Sequence, residues 1–110
     1  MRLSDLKPEY WQYVSETEQH AVIKKDDANG IMFLCPECTR RKLNGEKIHV
    51  HSILCWNPSV PQTILPIPGR WNILGDNFED LTLQNGSSSV ALTGACNAHF
   101  CIKNGEIIFC

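Results

Sequence analysis

The sequence contains no run approaching the ~20 consecutive apolar residues that a membrane-spanning helix requires. Its first segment, residues 1–13, carries Arg2, Asp5, Lys7 and Glu9 and so lacks the apolar stretch of a secretion signal. Together these absences lead us to expect a cytoplasmic protein in a reducing compartment. Charge of one sign is also missing, with 10 Lys and Arg against 12 Asp and Glu and a formal net charge of -2. That balance supplies neither the field that draws a chain onto DNA or anionic lipid nor the heavily acidic surface of a DNA mimic. Two catalytic zinc signatures are absent as well. No His is followed two residues on by Glu, as the zinc deaminases need, and there is no His-Glu-x-x-His run of the metalloprotease type.

What remains is 110 residues with 43% hydrophobic and 20% charged content, the composition of one globular domain. A core of that size is small enough for a cross-link to matter, and six cysteines offer one. In a reducing cytosol, cysteines serve as metal ligands or buried thiols more often than as disulfides.

The pattern of residue types reads as mainly β, a small α+β domain of short antiparallel strands around a metal site. Residues 1–14 read as an extended arm or edge strand that packs on the domain. Ser15 with Glu18 three residues later matches a capping box, which predicts a short helix over about residues 16–27. Ala21, Val22 and Ile23 are thin and partly β-branched for that role and suit a strand as well. The expected division is an N-terminal arm or helix at 1–29 and a zinc-binding β core at 30–110, within one domain.

Ile31 to Leu34 reads as a fully apolar strand delivering into Cys35, and Asn44-Gly45 as a turn. Residues 47–56 alternate as one strand, with Ile48, Val50, Leu54 and Trp56 on one face and His49, His51, Ile53 and Cys55 on the other. Pro58, Pro61, Pro66 and Pro68 argue for a long ordered loop. Further short strands are expected at 70–74 and 89–93. Phe100 to Lys103 and Glu106 to Phe109, joined by Asn104-Gly105, form the strongest hairpin signal, with Lys103 facing Glu106.

The chemistry concentrates in Cys35-Pro36-Glu37-Cys38 and Cys96-Asn97-Ala98-His99, each with two ligand-type side chains at i and i+3. Two such knuckles supply three thiolates and one imidazole, a set that prefers tetrahedral Zn2+ and leaves no position open for a catalytic water. His49 and His51 are candidates to replace His99 or to form a second site, and Cys101 is the spare ligand. Cys55 and Cys110 read as a core and a terminal thiol. Arg40, Arg41 and Lys42 could grip phosphates or a partner. The aromatic group Tyr10, Trp11 and Tyr13 suits either a partner-binding anchor or core packing.

The ordered set Gly30 to Cys38, Pro68-Gly69-Arg70-Trp71, Asp80 to Leu83, Cys96 to Phe100 and Ile102 to Glu106 resembles a family of small uncharacterised proteins encoded by bacteria and their phages, described as a domain of unknown function. The resemblance covers most of the chain from residue 30 onward. It implies a metal site at Cys35, Cys38, Cys96 and His99 and a packing role for Cys101. Arg70 and Trp71 match a feature of that family without a role attached; Trp71 reads as a core residue, and Arg70 could hold a carboxylate such as Asp80. The expectation is a structural zinc domain that binds a host or phage protein, for instance as an inhibitor of a defence complex such as a CRISPR effector. Two other classes stay open, a zinc-dependent hydrolase and a nucleic-acid-binding zinc knuckle.

Overall fold

The computed structural model describes residues 1–67, 69–84, 89–92 and 96–110. Mainly β architecture is what it shows: among the described residues there are three antiparallel sheets, one short α-helix and two single-turn 3-10 helices. The first sheet has the order β2-β1-β3-β4, formed by β1 (Glu9–Ser15), β2 (Glu18–Val22), β3 (Gly30–Leu34) and β4 (Ser52–Trp56). β5 (Asn72–Leu74) and β6 (Thr82–Gln84) pair as a two-stranded sheet, and β7 (Val90–Ala91), β8 (His99–Lys103) and β9 (Glu106–Phe109) make the third. Of the strand expected at 89–93, Thr93 lies outside the described residues.

Residues 1–29 are no appendage. β1 lies inside the first sheet, between β2 and β3, rather than at an edge. The helix expected over 16–27 is instead a tight turn and β2, where β-branched Val22 favours the pleated sheet. A helix does occur where none was expected, α1 at Pro36–Leu43. Its signals are standard ones: Pro36 in the first turn, Glu37 near the positive end of the dipole, Arg40, Arg41 and Lys42 near the negative end, and Gly45 just beyond at φ 94°. β4 begins only at Ser52, so the alternation from residue 47 is extended chain that enters the sheet late.

One core joins the sheets. Leu3, Leu6, Ile31, Phe33, Cys55, Leu83, Phe100 and Ile102 belong to a single buried cluster, with Phe33 of β3 meeting Phe100 of β8 edge-on at 6.0 Å. A second, smaller cluster of Trp56, Val60 and Ile64 gathers the partly buried Trp11, Tyr13 and Leu54. The proline-rich loop over it is held by Arg70, whose guanidinium donates to the carbonyls of Val60, Pro61, Ile64, Pro66 and Gly69 at 2.6–3.0 Å. Arg70 therefore clamps a loop through its backbone carbonyls. Asp80 caps its own turn by accepting from the N–H groups of Asp76 and Asn77.

The carboxyl-terminal hairpin forms as expected, with Asn104 at φ 49° and Gly105 at φ 73°, the pair of positive φ values that a two-residue I′ turn demands. Lys103 and Glu106 are in register, but the Glu106 carboxylate is ion-paired to Arg2. Gly105 is also the point where three segments meet: its N–H donates to Leu81, and its carbonyl accepts from Leu3, both at 2.8 Å. A Cβ there would lie 2.3 Å from the Glu79 carbonyl oxygen. Gly105→Ala should therefore lower the urea-unfolding free energy by more than ~1 kcal/mol. Gly45→Ala, equally left-handed but with nothing within 4 Å of the added carbon, should cost less.

Candidate metal centre

The register of β3 and β4 builds the site. Ile31 pairs with Cys55 and Phe33 with Ile53, and the ladder closes where the Cys35 N–H donates to the His51 carbonyl at 2.8 Å. Side chains two apart on a strand share a face, so Cys35 and His51 continue the core-facing row of Ile31, Phe33, Ile53 and Cys55. Directly after Cys35 the chain turns into α1, and one helical turn returns Cys38 to the same place. Cys96 arrives from the segment that leads into β8.

The ligand atoms of Cys35, Cys38, His51 and Cys96 all lie within 4.8 Å of one another. Cys35 Sγ is 4.0 Å from Cys96 Sγ, and His51 Nε2 is 3.4 Å from Cys96 Sγ. Two thiolates on one tetrahedral zinc with bonds of about 2.3 Å stand about 3.8 Å apart, so the spacing fits an ion at the centre. The other imidazole nitrogen of His51, Nδ1, lies 3.4 Å from the Ser52 carbonyl, the arrangement that fixes Nε2 as the ligand atom. These four residues could hold a metal ion, and three sulfurs with one nitrogen are compatible with zinc.

The thiols differ in proton affinity. Burial pushes Cys35 up to about 12, and the Cys38 backbone opposes that only in part. Cys38 is also raised, chiefly by burial. Burial acts the same way on Cys96, but His51, the Ala98 backbone amide and the neighbouring thiols outweigh it and bring the net value down. Metal binding must displace the protons of Cys35 and Cys38, so apparent affinity rises with pH. Arg41 stands beside the cluster, held by Glu37 at 3.1 Å with its other arm 3.5 Å from the Cys96 carbonyl. Its positive charge lowers the Cys38 value and would offset the net negative charge of three thiolates around a divalent ion.

The expected ligand His99 is not in the cluster. It begins β8 on the exposed side of an alternating strand, and His51 supplies the imidazole instead. Placing His51 in the same row as Ile53 and Cys55 already carried the signal; the missing step was the pairing that sets this row against Cys35. His49 lines a depression next to Cys38, Arg41, His51 and Cys96 and is not among the converging ligands. Cys101 faces outward on β8, 3.8 Å from Cys110 Sγ, and Cys55 is a fully buried core thiol raised by burial.

Apart from Lys42, the candidate partner residues are engaged in the fold. Tyr10 is 8% exposed and stacks on Phe78 at 4.2 Å, while Tyr13 meets Trp56 edge-on. Arg40 and Arg41 both bind Glu37, and Arg40 also lies 4.0 Å over the Phe109 ring. Lys42 is exposed on the last turn of α1. Among the described residues no helix is long and apolar enough to cross a membrane. No protein-family model matches the chain, and no match to it exists among the curated proteins or the solved structures compared.

In a zinc competition titration of reduced protein, His51→Ala should weaken the tightest-bound equivalent by more than the about 10–100-fold that loss of a ligand's hydrogen-bond partner costs. His99→Ala should leave that equivalent unchanged. The reverse order would return the imidazole to His99.

Proposed function

We propose that this chain is a zinc-stapled β domain that acts by binding an extended segment of another protein. The supporting observation is a pair of strand edges facing each other across an apolar cleft. Cys35 and Asn29 bond to His51 and Asn57, which puts His51, Ile53 and Cys55 in the bonded pairs of the β3–β4 ladder. Ser52 and Leu54 therefore aim their backbone groups away from β3. On the other side, the Leu92 N–H donates to Ala98, so Ala91 aims its N–H and carbonyl away from β8. Among the described residues nothing pairs with the backbone of Leu54 or Ala91.

Between these edges lies a cavity of ≈ 400 Å³, lined by Ile53, Leu54, Ala91 and Leu92 and ended by Trp71 and Ile67. Trp71 donates its backbone N–H to Trp56 and its indole N–H to Ser89, bridging the two walls at that end. An extended peptide satisfies both edges by strand addition and places alternate side chains in the apolar space. Trp71 is thus a wall of the cleft, only partly buried.

The zinc is structural in this reading. Four protein ligands leave no vacant coordination position, and His51, the imidazole a hydrolytic site would need, is itself a ligand. Structural zinc contributes ~10–16 kcal/mol in finger peptides, comparable with the ~5–15 kcal/mol net stability of a domain. A nucleic-acid reading is weaker, since Glu37 pairs with Arg40 and Arg41 and cancels one of their two charges, leaving few positive groups to grip several phosphates. The resemblance to phage and bacterial proteins makes a host or phage protein in the cytoplasm the proposed partner, with inhibition of a defence complex such as a CRISPR effector as the specific role.

Ala91→Pro tests this, because it removes an outward N–H without breaking the β7–β8 bonds. Immobilised wild-type protein should retain from host lysate a protein that Ala91→Pro and Trp71→Ala lose by about tenfold or more, while zinc content and circular dichroism stay unchanged. Equal retention by all three would reject strand addition. Retention abolished by nuclease would favour nucleic acid instead.

A further inference from the structure

His99, which stands outside the first cluster, shares a strand face with two further thiols. β8 and β9 pair with Cys101 opposite Ile108, and the Cys110 N–H donates to the His99 carbonyl at 3.0 Å, which sets His99 directly across from Cys110. His99 and Cys101 are two apart on β8 and share its outer face, while Phe100 and Ile102 between and beyond them point into the core. Ile108, 48% exposed, marks the same face on β9. Two thiols and one imidazole therefore occupy a single solvent-facing patch of one hairpin.

The sulfurs of Cys101 and Cys110 are 3.8 Å apart. This equals the about 3.8 Å that a tetrahedral ion with about 2.3 Å metal–sulfur bonds requires. We propose that Cys101, Cys110 and His99 form a second, surface site for a thiophilic divalent cation such as Zn2+. The sulfurs already stand at ligand spacing, and His99 completes three protein ligands by a rotamer change on a strand that gives it free space. On binding, each thiol transfers its proton to solvent as its sulfur bonds the ion, and no oxidant is involved. Three protein ligands leave a fourth position open, unlike the four-ligand cluster beside α1. The two sites share no ligand, so this proposal does not depend on the first.

Zinc titration of the protein, kept reduced throughout and monitored by a chromophoric competitor, should show two equivalents for wild type. Cys101→Ser and Cys110→Ser should each leave only the tighter one. His99→Ala should weaken the second equivalent more than tenfold and spare the first. With Cd2+ as probe, the ultraviolet thiolate-to-metal band should grow in two steps in wild type and in one step in Cys101→Ser/Cys110→Ser. These residues lie on the surface, so circular dichroism should confirm that the variants remain folded. A single equivalent in wild type, or a second equivalent that persists in the double variant, would overturn the proposal. Loss of the tight equivalent instead would count against the Cys35, Cys38, His51 and Cys96 cluster alone.

Discussion

Much of this molecule depends on the antiparallel register that sets Cys35 opposite His51. The same ladder fills the core with Ile31, Phe33, Ile53 and Cys55 on one face and turns the backbone of Ser52 and Leu54 outward. A shift of one residue would send His51 to the other face and take its imidazole away from the cysteines. Gly30 helps fix the register at the far end, since a Cβ there would lie 2.6 Å from the Trp56 ring. Packing at one end of the ladder and ligand convergence at the other thus enforce a single alignment.

The metal cluster spans elements that are distant in sequence. Cys35 and Cys38 come from the β3–α1 junction, His51 from the start of β4, and Cys96 from the approach to β8. An ion at their centre would tie the first sheet to the third, close to where Phe33 and Phe100 already join them. Burial holds Cys35 and Cys38 as thiols, so an ion must displace their protons, after which three thiolates around a divalent cation carry a net negative charge. Arg41 answers the remaining negative charge, which explains why a basic run directly after a knuckle need not face a phosphate.

Local signals were read most securely where local chemistry decides. Asn104-Gly105 dictates its hairpin because only a few residue types accept positive φ at both turn positions, and Ile31 to Leu34 is too apolar and too short to be anything but a buried strand. The mainly β class and the candidate ligands Cys35, Cys38 and Cys96, which the fold brings together, rest on the same kind of evidence. α1 carries Pro, Glu, Arg and Gly signals, but the same residues also satisfy the spacing of a metal knuckle, which masks the helix in one dimension. Ser15 and Glu18 imitate the capping box of a helix, whereas the chain uses them in a turn and β2 forms the strand that Ala21 and Val22 equally suit. The imidazole was misassigned for a different reason: i, i+3 spacing is visible in one dimension, whereas the opposition of Cys35 and His51 is a product of strand pairing. Arg70 shows the same limit, since its partners are carbonyls that carry no residue-type signature.

His51 links the two halves of the functional reading. Its Nε2 faces the sulfurs, its carbonyl takes the Cys35 N–H, and its Nδ1 faces the carbonyl of Ser52, the first residue of the β4 edge. It also lines the cleft between β4 and β7. A ligated imidazole has one orientation, so the metal would hold Ser52 and the start of that edge in the position a bound strand needs. Cys96 does the same from the opposite side, because it leads through Ala98, whose carbonyl anchors Leu92 at the end of β7. Metal occupancy would therefore preorganise both walls of the cleft, and the ordering cost of binding a peptide would fall with it. Zinc would act here through geometry, by holding apart two strand edges that a third strand can join.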